Sequence, residues 1–78
     1  MLPRTDIETL RMSQIDAEDL AEEGNALAGY RCLRSGLHRA EEAEEDGEPW
    51  GGELAALWRD ACEEYAERHG IAEAPSAQ

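Results

Sequence analysis

The sequence predicts an all-α fold: an antiparallel two-helix hairpin, with a long first helix, a shorter second helix and a short N-terminal lead. Apolar residues recur at helical intervals on both sides of residues 47–52. That hexapeptide, Gly-Glu-Pro-Trp-Gly-Gly, relaxes the backbone with glycine and contains a proline, which cannot continue a helix. It is therefore expected to form the turn of the hairpin. A length of 78 residues indicates one domain.

The lead is expected to cover residues 1–12, as a short helix or as an extended arm. Thr5 followed three residues later by Glu8 fits a capping box, which favours the helix. Ile7 and Leu10 would give this helix one apolar edge. The extended arm, docked on another surface, stays open as the alternative.

The first long helix is predicted over residues 13–46, with Ser13 as its N-cap. Its core face is marked by apolar residues at helical intervals: Leu20, Leu27, Tyr30, Leu33, Leu37 and Ala40. Gly24, Gly29 and Gly36 fall inside this predicted helix, where each glycine costs roughly 1 kcal/mol relative to alanine. Close approach of another helix is the expected reason for them, and a bend is the alternative.

The second helix is predicted over residues 53–69. Its apolar stripe consists of Leu54, Leu57, Trp58, Ala61, Cys62, Tyr65 and Ala66. Gly70 followed by Ile71 fits a glycine C-cap with a hydrophobic contact to the last turn. Residues 71–78 are expected to form a flexible tail, so the hairpin proper covers residues 13–70. Because a hairpin leaves its apolar stripes partly uncovered, the lead, a second copy or a larger protein is expected to cover them.

The net charge of −12 excludes some classes of partner. A strongly acidic chain repels phosphates and lacks a basic stripe, so nucleic acid and anionic membrane surfaces are not expected partners. The composition, with seven Arg and no Lys, is typical of a GC-rich genome that favours Arg and Ala codons, and the acidity fits a salt-rich cytoplasm. It also fits a protein partner with a basic surface.

The strongest concentration of charge lies at the end of the first predicted helix. It comprises Glu41, Glu42, Glu44, Glu45, Asp46 and Glu48. Negative charge at a helix C-terminus is unfavourable, because that end already carries partial negative charge. The run is interpreted as a solvated face, with a basic protein patch or, more remotely, a divalent cation as alternatives. The pattern of an EF-hand loop is absent from it.

Cysteine usage indicates a cytoplasmic protein. The first dozen residues lack a signal-peptide core, and two cysteines in such a chain are expected to be thiols. Folding the hairpin about Pro49 would bring Cys32 and Cys62 near each other as packing residues. Together with His38 and His69 they lack the spacing of a zinc site, so no metal ligand is predicted.

The sequence contains no signature of catalysis. No serine sits in a Gly-x-Ser-x-Gly elbow, and Gly51-Gly52 lacks the lysine of a phosphate-binding loop. No catalytic or cofactor-binding residue is therefore predicted. Residues 24–27, Gly-Asn-Ala-Leu, resemble the first helix of a tetratricopeptide repeat, but four residues without a repeat assign no family.

These observations lead to the hypothesis of a small non-enzymatic interaction protein, an accessory subunit or adaptor docking through an apolar helical face. One alternative is an acidic, antitoxin-like inhibitor that masks a basic surface. Another is a small metal-binding or redox protein. Trp50, in the turn, is either a staple on the second helix or an exposed anchor. The candidate partner-binding residues are Ile7, Leu10, Gly29, Gly36, Trp50, Trp58, Tyr65, Glu41, Glu44 and Glu45.

Overall fold

The computed structural model describes residues 4–71 and contains three helices in this range. They are α1 (Arg4–Glu22), α2 (Ala26–Glu45) and α3 (Gly51–His69). The all-α class is confirmed. The two-helix hairpin is wrong, because the predicted first helix is divided between α1 and α2.

The division occurs at residues 23–25, where Gly24 has a φ of +87°. The amide of Gly24 donates to the carbonyl of Ala21 at 3.0 Å, and the amide of Asn25 donates to that of Leu20 at 2.8 Å. This pair of bonds is a Schellman motif, which ends a helix by satisfying its last carbonyls around a left-handed residue. Gly24 therefore ends α1, and its predicted place inside a helix is wrong.

Residues 4–12 of the predicted lead belong to α1 and form no separate segment, while residues 1–3 lie outside the described residues. Residues 4–12 are helical and continue without interruption through Ser13, which is thus no N-cap. Between residues 4 and 12 the extended-arm alternative is wrong. Leu10 and Ala17 are buried, so α1 supplies the expected cover over the apolar stripe of α2.

The second turn and the end of α3 follow the sequence prediction. Residues 46–50 separate α2 from α3, and Gly47 has a φ of +85°. Gly70 is the left-handed C-cap of α3, and the amide of Ile71 donates to the carbonyl of Ala66 at 2.9 Å. Ile71 also packs against the core, so the glycine cap with its hydrophobic contact is confirmed.

The helix α2 lies between α1 and α3, which contact each other little. The buried core contains Leu10, Ala17, Tyr30, Leu33, Leu37, Ala40, Leu54, Ala55, Trp58, Ala61, Cys62, Tyr65 and Ala66. Two glycines of α2 let α3 approach: a Cβ at Gly36 would collide with the ring of Trp58, and one at Gly29 with the Tyr65 hydroxyl. Close helix packing at these two glycines is confirmed.

Some residues of the predicted core faces are exposed. Leu27 is 51% exposed and Leu57 is 38% exposed, while Leu20 is half-buried. Leu27 was placed in phase with Leu20 on one continuous helix. The intervening turn resets the helical phase, so the prediction that both share a core face is wrong.

Candidate interaction site

The candidate site is the groove between α1 and α3, with α2 as its floor. Its volume is about 460 Å³, within the range of sites that hold small ligands or side chains of a partner. It is lined by Arg11, Gln14, Ile15, Glu18, Asp19, Leu33, Ala61, Glu64, Tyr65 and Arg68. The third helix creates this space, which a two-helix hairpin does not contain.

The groove has an apolar base and an apolar edge. Leu33 and Ala61 are buried at its base, while Ile15 on α1 is 55% exposed beside them. Met12, one turn before Ile15, is 58% exposed. On α3, Leu57 lies four residues before Ala61 and therefore on the same side of the helix. Aliphatic side chains are thus left accessible on both helices that border the groove.

One end of the groove is closed by a cluster that joins α1 to α3. The carboxylate of Glu18 on α1 pairs with Arg68 and lies 3.0 Å from Nε2 of His69, both on α3. The His69 ring packs on Tyr65 at a centroid distance of 4.4 Å and a tilt of 50°. The side chains of Glu18 and His69 are 33% and 24% exposed. The cluster therefore fixes the spacing of the two helices at this end.

Tyr65 connects all three helices through its hydroxyl. The hydroxyl oxygen lies 2.8 Å from the carbonyl oxygen of Ala26 on α2 and 3.1 Å from that of Ala17 on α1. One hydroxyl hydrogen is shared between these two acceptors. Burial raises the pKa of Tyr65 above its ordinary value of 10.0, and the nearby charge of Glu18 raises it further. The phenol is thus held in its neutral, donating form, which suits a structural link.

The outer side of α3 beside the groove is acidic. Asp60, Glu63, Glu64 and Glu67 are exposed and line a shallow depression together with Arg68. Glu64 and Arg68 also line the groove, so the apolar groove and the acidic side of α3 form one continuous surface. Arg68 pairs with Glu18, while the other basic residue of this surface, Arg11, is exposed on the α1 side of the groove.

Five predicted partner-binding residues lie in the interior of the bundle. They are Leu10, Gly29, Gly36, Trp58 and Tyr65. The two glycines accept the rings of the two aromatic residues, and Leu10 is 8% exposed within the same core. Their contacts are made within the chain.

The remaining predicted residues are accessible but scattered. Ile7 is half-buried on α1, eight residues before Ile15 and on the same side of the helix. Trp50 is half-buried at the N-cap of α3 and packs partly against the core. It is therefore neither a fully packed staple nor a fully exposed anchor. Of the acidic residues, Glu41 pairs with Arg59 on α3 at 3.4 Å, while Glu44 and Glu45 are exposed. The structure does not bring these residues into one site.

The thiols lie on the α2–α3 side. Cys62 is buried and Cys32 is half-buried, and neither forms a disulfide. Within residues 4–71, no three His, Cys, Asp or Glu side chains are grouped closely enough to hold a metal ion. Within the same range, no helix is both long and apolar enough to cross a membrane.

Comparison with protein-family models, with curated proteins and with solved structures finds no match to this chain. The geometry of the groove and the charges around it are therefore the basis for the function proposed below.

Sequence reasoning did not identify the exposed apolar residue that borders the groove. Ile15 was not among the apolar residues assigned to the core face of the predicted first helix. A usable signal was present: Ile7 and Ile15 are separated by eight residues, about two helical turns, with Arg11 midway between them. A helix placed from Arg4 onward has Ile7 and Ile15 on one side, with Arg11 between them.

Proposed function

We propose that this chain is a small non-enzymatic interaction protein, an accessory subunit or adaptor, that binds a protein partner in the groove between α1 and α3. The observation that carries the proposal is the exposure of Ile15 above a buried base of Leu33 and Ala61. A half-exposed aliphatic residue beside buried apolar side chains gains most from being covered, at roughly 25 cal/mol per Å² of apolar area removed from water.

The character of the groove supports binding over catalysis. Its polar groups are mainly ion-paired or exposed to solvent, and its buried hydroxyl, that of Tyr65, already contacts two backbone carbonyls. A raised pKa keeps this phenol protonated, which makes it a poor general base. An open groove with such a lining can bury a side chain of a partner, but it offers no activated nucleophile. We also propose a cytoplasmic location, which the two thiols support.

The test is capture of partners from a native lysate with the wild-type chain and two matched variants. Ile15→Asp places a charge on the groove, and Leu27→Asp places the same charge on an exposed position of α2 that does not line it. We expect Ile15→Asp to lose the captured partner and Leu27→Asp to retain it. Both variants should keep the helical circular dichroism of the parent, because both positions are more than half exposed. Retention of every captured protein by Ile15→Asp would contradict the proposal.

A second candidate is an acidic inhibitor that masks a basic surface with the end of α2. It is favoured by the exposure of Glu44, Glu45 and Asp46, which form no ion pair within residues 4–71. In that case capture should survive Ile15→Asp and should be lost when Glu44 and Glu45 are changed to Gln. Binding should also weaken steeply with salt, because exposed charges are screened.

A further inference from the structure

We infer that the occupant of the groove is an amphipathic helix whose apolar face is flanked on one side by Lys and Arg. This inference rests on the proposed function and specifies the chemistry of the partner. It follows from the placement of an apolar groove directly beside an acidic strip, defined as Asp60, Glu63, Glu64 and Glu67 on α3.

The apolar part of the surface has the form that a helix requires. The groove runs between two helices that both pack on α2, so it is bordered by one ridge of side chains from α1 and another from α3. Ile15 on α1 lines the groove and is accessible, and the accessible Leu57 on α3 lies one turn before Ala61, next to the lining residues. A partner helix would place residues at i, i+3, i+4 and i+7 between these ridges, the spacing by which helices bind in grooves.

The negative charge on the α3 side of the groove determines which residues should flank the apolar face of the partner helix. All four carboxylates of the acidic strip are exposed, and Glu64 lies on both the strip and the groove. Arg68 is the basic residue of the strip, and its guanidinium pairs with Glu18. The strip therefore retains a negative field. Complementary charge on the partner would speed association and fix the orientation of the docked helix.

The same charges argue against a second copy of this chain as the occupant. Each copy carries a net charge of −12, so two copies would bring like charges together across the groove. Juxtaposed like charges disfavour an interface and suppress the wrong pairing.

The experiment is selection from a displayed library of amphipathic helical peptides with a fixed leucine face and randomised flanks. The bait is the full chain. We expect the selected peptides to be enriched in Lys and Arg on one flank. Their affinity, measured by fluorescence anisotropy, should fall about tenfold or more for Ile15→Asp and stay within about twofold of the parent for Leu27→Asp.

A charge variant tests the acidic strip separately. Changing Asp60, Glu63 and Glu67 to Gln removes charge from exposed positions outside the groove. It should weaken the selected peptides about tenfold at low salt, with a smaller loss at high salt.

The outcomes separate this inference from the proposed function. Selection of neutral or acidic flanks, with affinity still lost in Ile15→Asp, would overturn the basic helix and leave the groove as the binding site. Peptides that bind Ile15→Asp as well as the parent would overturn both. Enrichment of no peptide, or a dimer that occupies the groove in light scattering at micromolar concentration, would overturn the basic-helix occupant.

Discussion

The two sides of α3 differ in how completely they are packed. Against α2, Trp58 and Tyr65 fill the space left by Gly36 and Gly29, and both rings are almost fully buried. Against α1, α3 makes few contacts, among them the pairing of Glu18 with Arg68 and His69, and Ile15 remains 55% exposed. Glycine opposite an aromatic ring closes the first interface. The second interface lacks such a pair, and its incomplete packing is the basis of the proposed binding site.

Filling the space at Gly36 should disrupt the packing of α3 against α2, and it has the largest expected effect on stability. In Gly36→Ala the new methyl group collides with the Trp58 ring, which is 3% exposed and cannot move into solvent. We expect a net loss of about 2 kcal/mol in the free energy of unfolding, despite the better helix propensity of alanine. Urea denaturation measures it.

Gly52→Ala is the matched control for that variant. Gly52 is exposed in the first turn of α3, where a new Cβ would meet only the side chain of Glu44. It should be neutral or stabilise the protein by up to about 1 kcal/mol. Equal effects of the two substitutions would show that the approach of Trp58 to α2 is not a close one.

The turn between α1 and α2 depends on a glycine in the left-handed conformation. Gly24 has a φ of +87°, and a Cβ there would meet nothing within 4 Å, so the cost of a substitution is one of backbone conformation. Gly24→Ala should therefore lower the free energy of unfolding by about 1–2 kcal/mol. Gly24→Asn should cost less, because asparagine tolerates the left-handed conformation. An alanine variant as stable as the parent would favour one continuous helix through this position.

Tyr65 on α3 links α1 to α2 at one end of the groove. Tyr65→Phe removes a hydroxyl that contacts the carbonyls of Ala17 and Ala26, and should cost about 1 kcal/mol. Because both carbonyls lie within helices, they keep their helical partners and no larger loss is expected. The variant should also be more sensitive than the parent to cleavage near the turn at residues 23–25.

The same residue predicts a pH dependence above pH 10. Its pKa is raised in the folded protein above the ordinary value of 10.0. The contribution to stability is thus complete below pH 10 and is lost as pH rises from there through the folded pKa, since the unfolded chain ionises first. Thermal unfolding between pH 9 and pH 11 should show this loss in the parent and a smaller one in Tyr65→Phe. Identical slopes would refute the assignment to Tyr65.

The acidic end of α2 gives the smallest expected effect. Glu44 and Glu45 are exposed in its last turn, where negative charge opposes the helix dipole. Changing both to Gln should stabilise the protein by a few tenths of a kcal/mol. Glu41→Gln should bring no gain, because Glu41 pairs with Arg59 on α3. Thermal melts at low salt check both, and a lower melting temperature for the double variant would contradict them.

The sequence predicted the parts of the fold that carry strong local signals. Gly47 and Gly70 were recognised as helix ends, since a proline follows the first and the apolar pattern stops after the second. Gly24 has the same left-handed conformation, yet no proline follows it and α2 begins two residues later. The apolar residues before and after this turn therefore fitted the period of one long helix.

The groove could not be predicted because it depends on the existence of that turn. Once α1 is separate, Ile15 borders a space that no two-helix arrangement contains. The internal partners of Trp58 and Tyr65 were within reach of the sequence, since the interior glycines indicated close packing. The sequence could not show which face of α1 would remain exposed, because the phase of α1 relative to α2 is set by the geometry of residues 23–25.

The most direct test of the groove between α1 and α3 as a binding surface is methyl NMR of the isoleucine and leucine side chains during titration with the captured partner. We expect the signals of Ile15 and Leu33 in the groove and of the neighbouring Leu57 to shift on binding, while that of Leu27 on the exposed side of α2 stays in place. Shifts at Leu27 with Ile15 unchanged would contradict it, and would move the binding surface away from the groove.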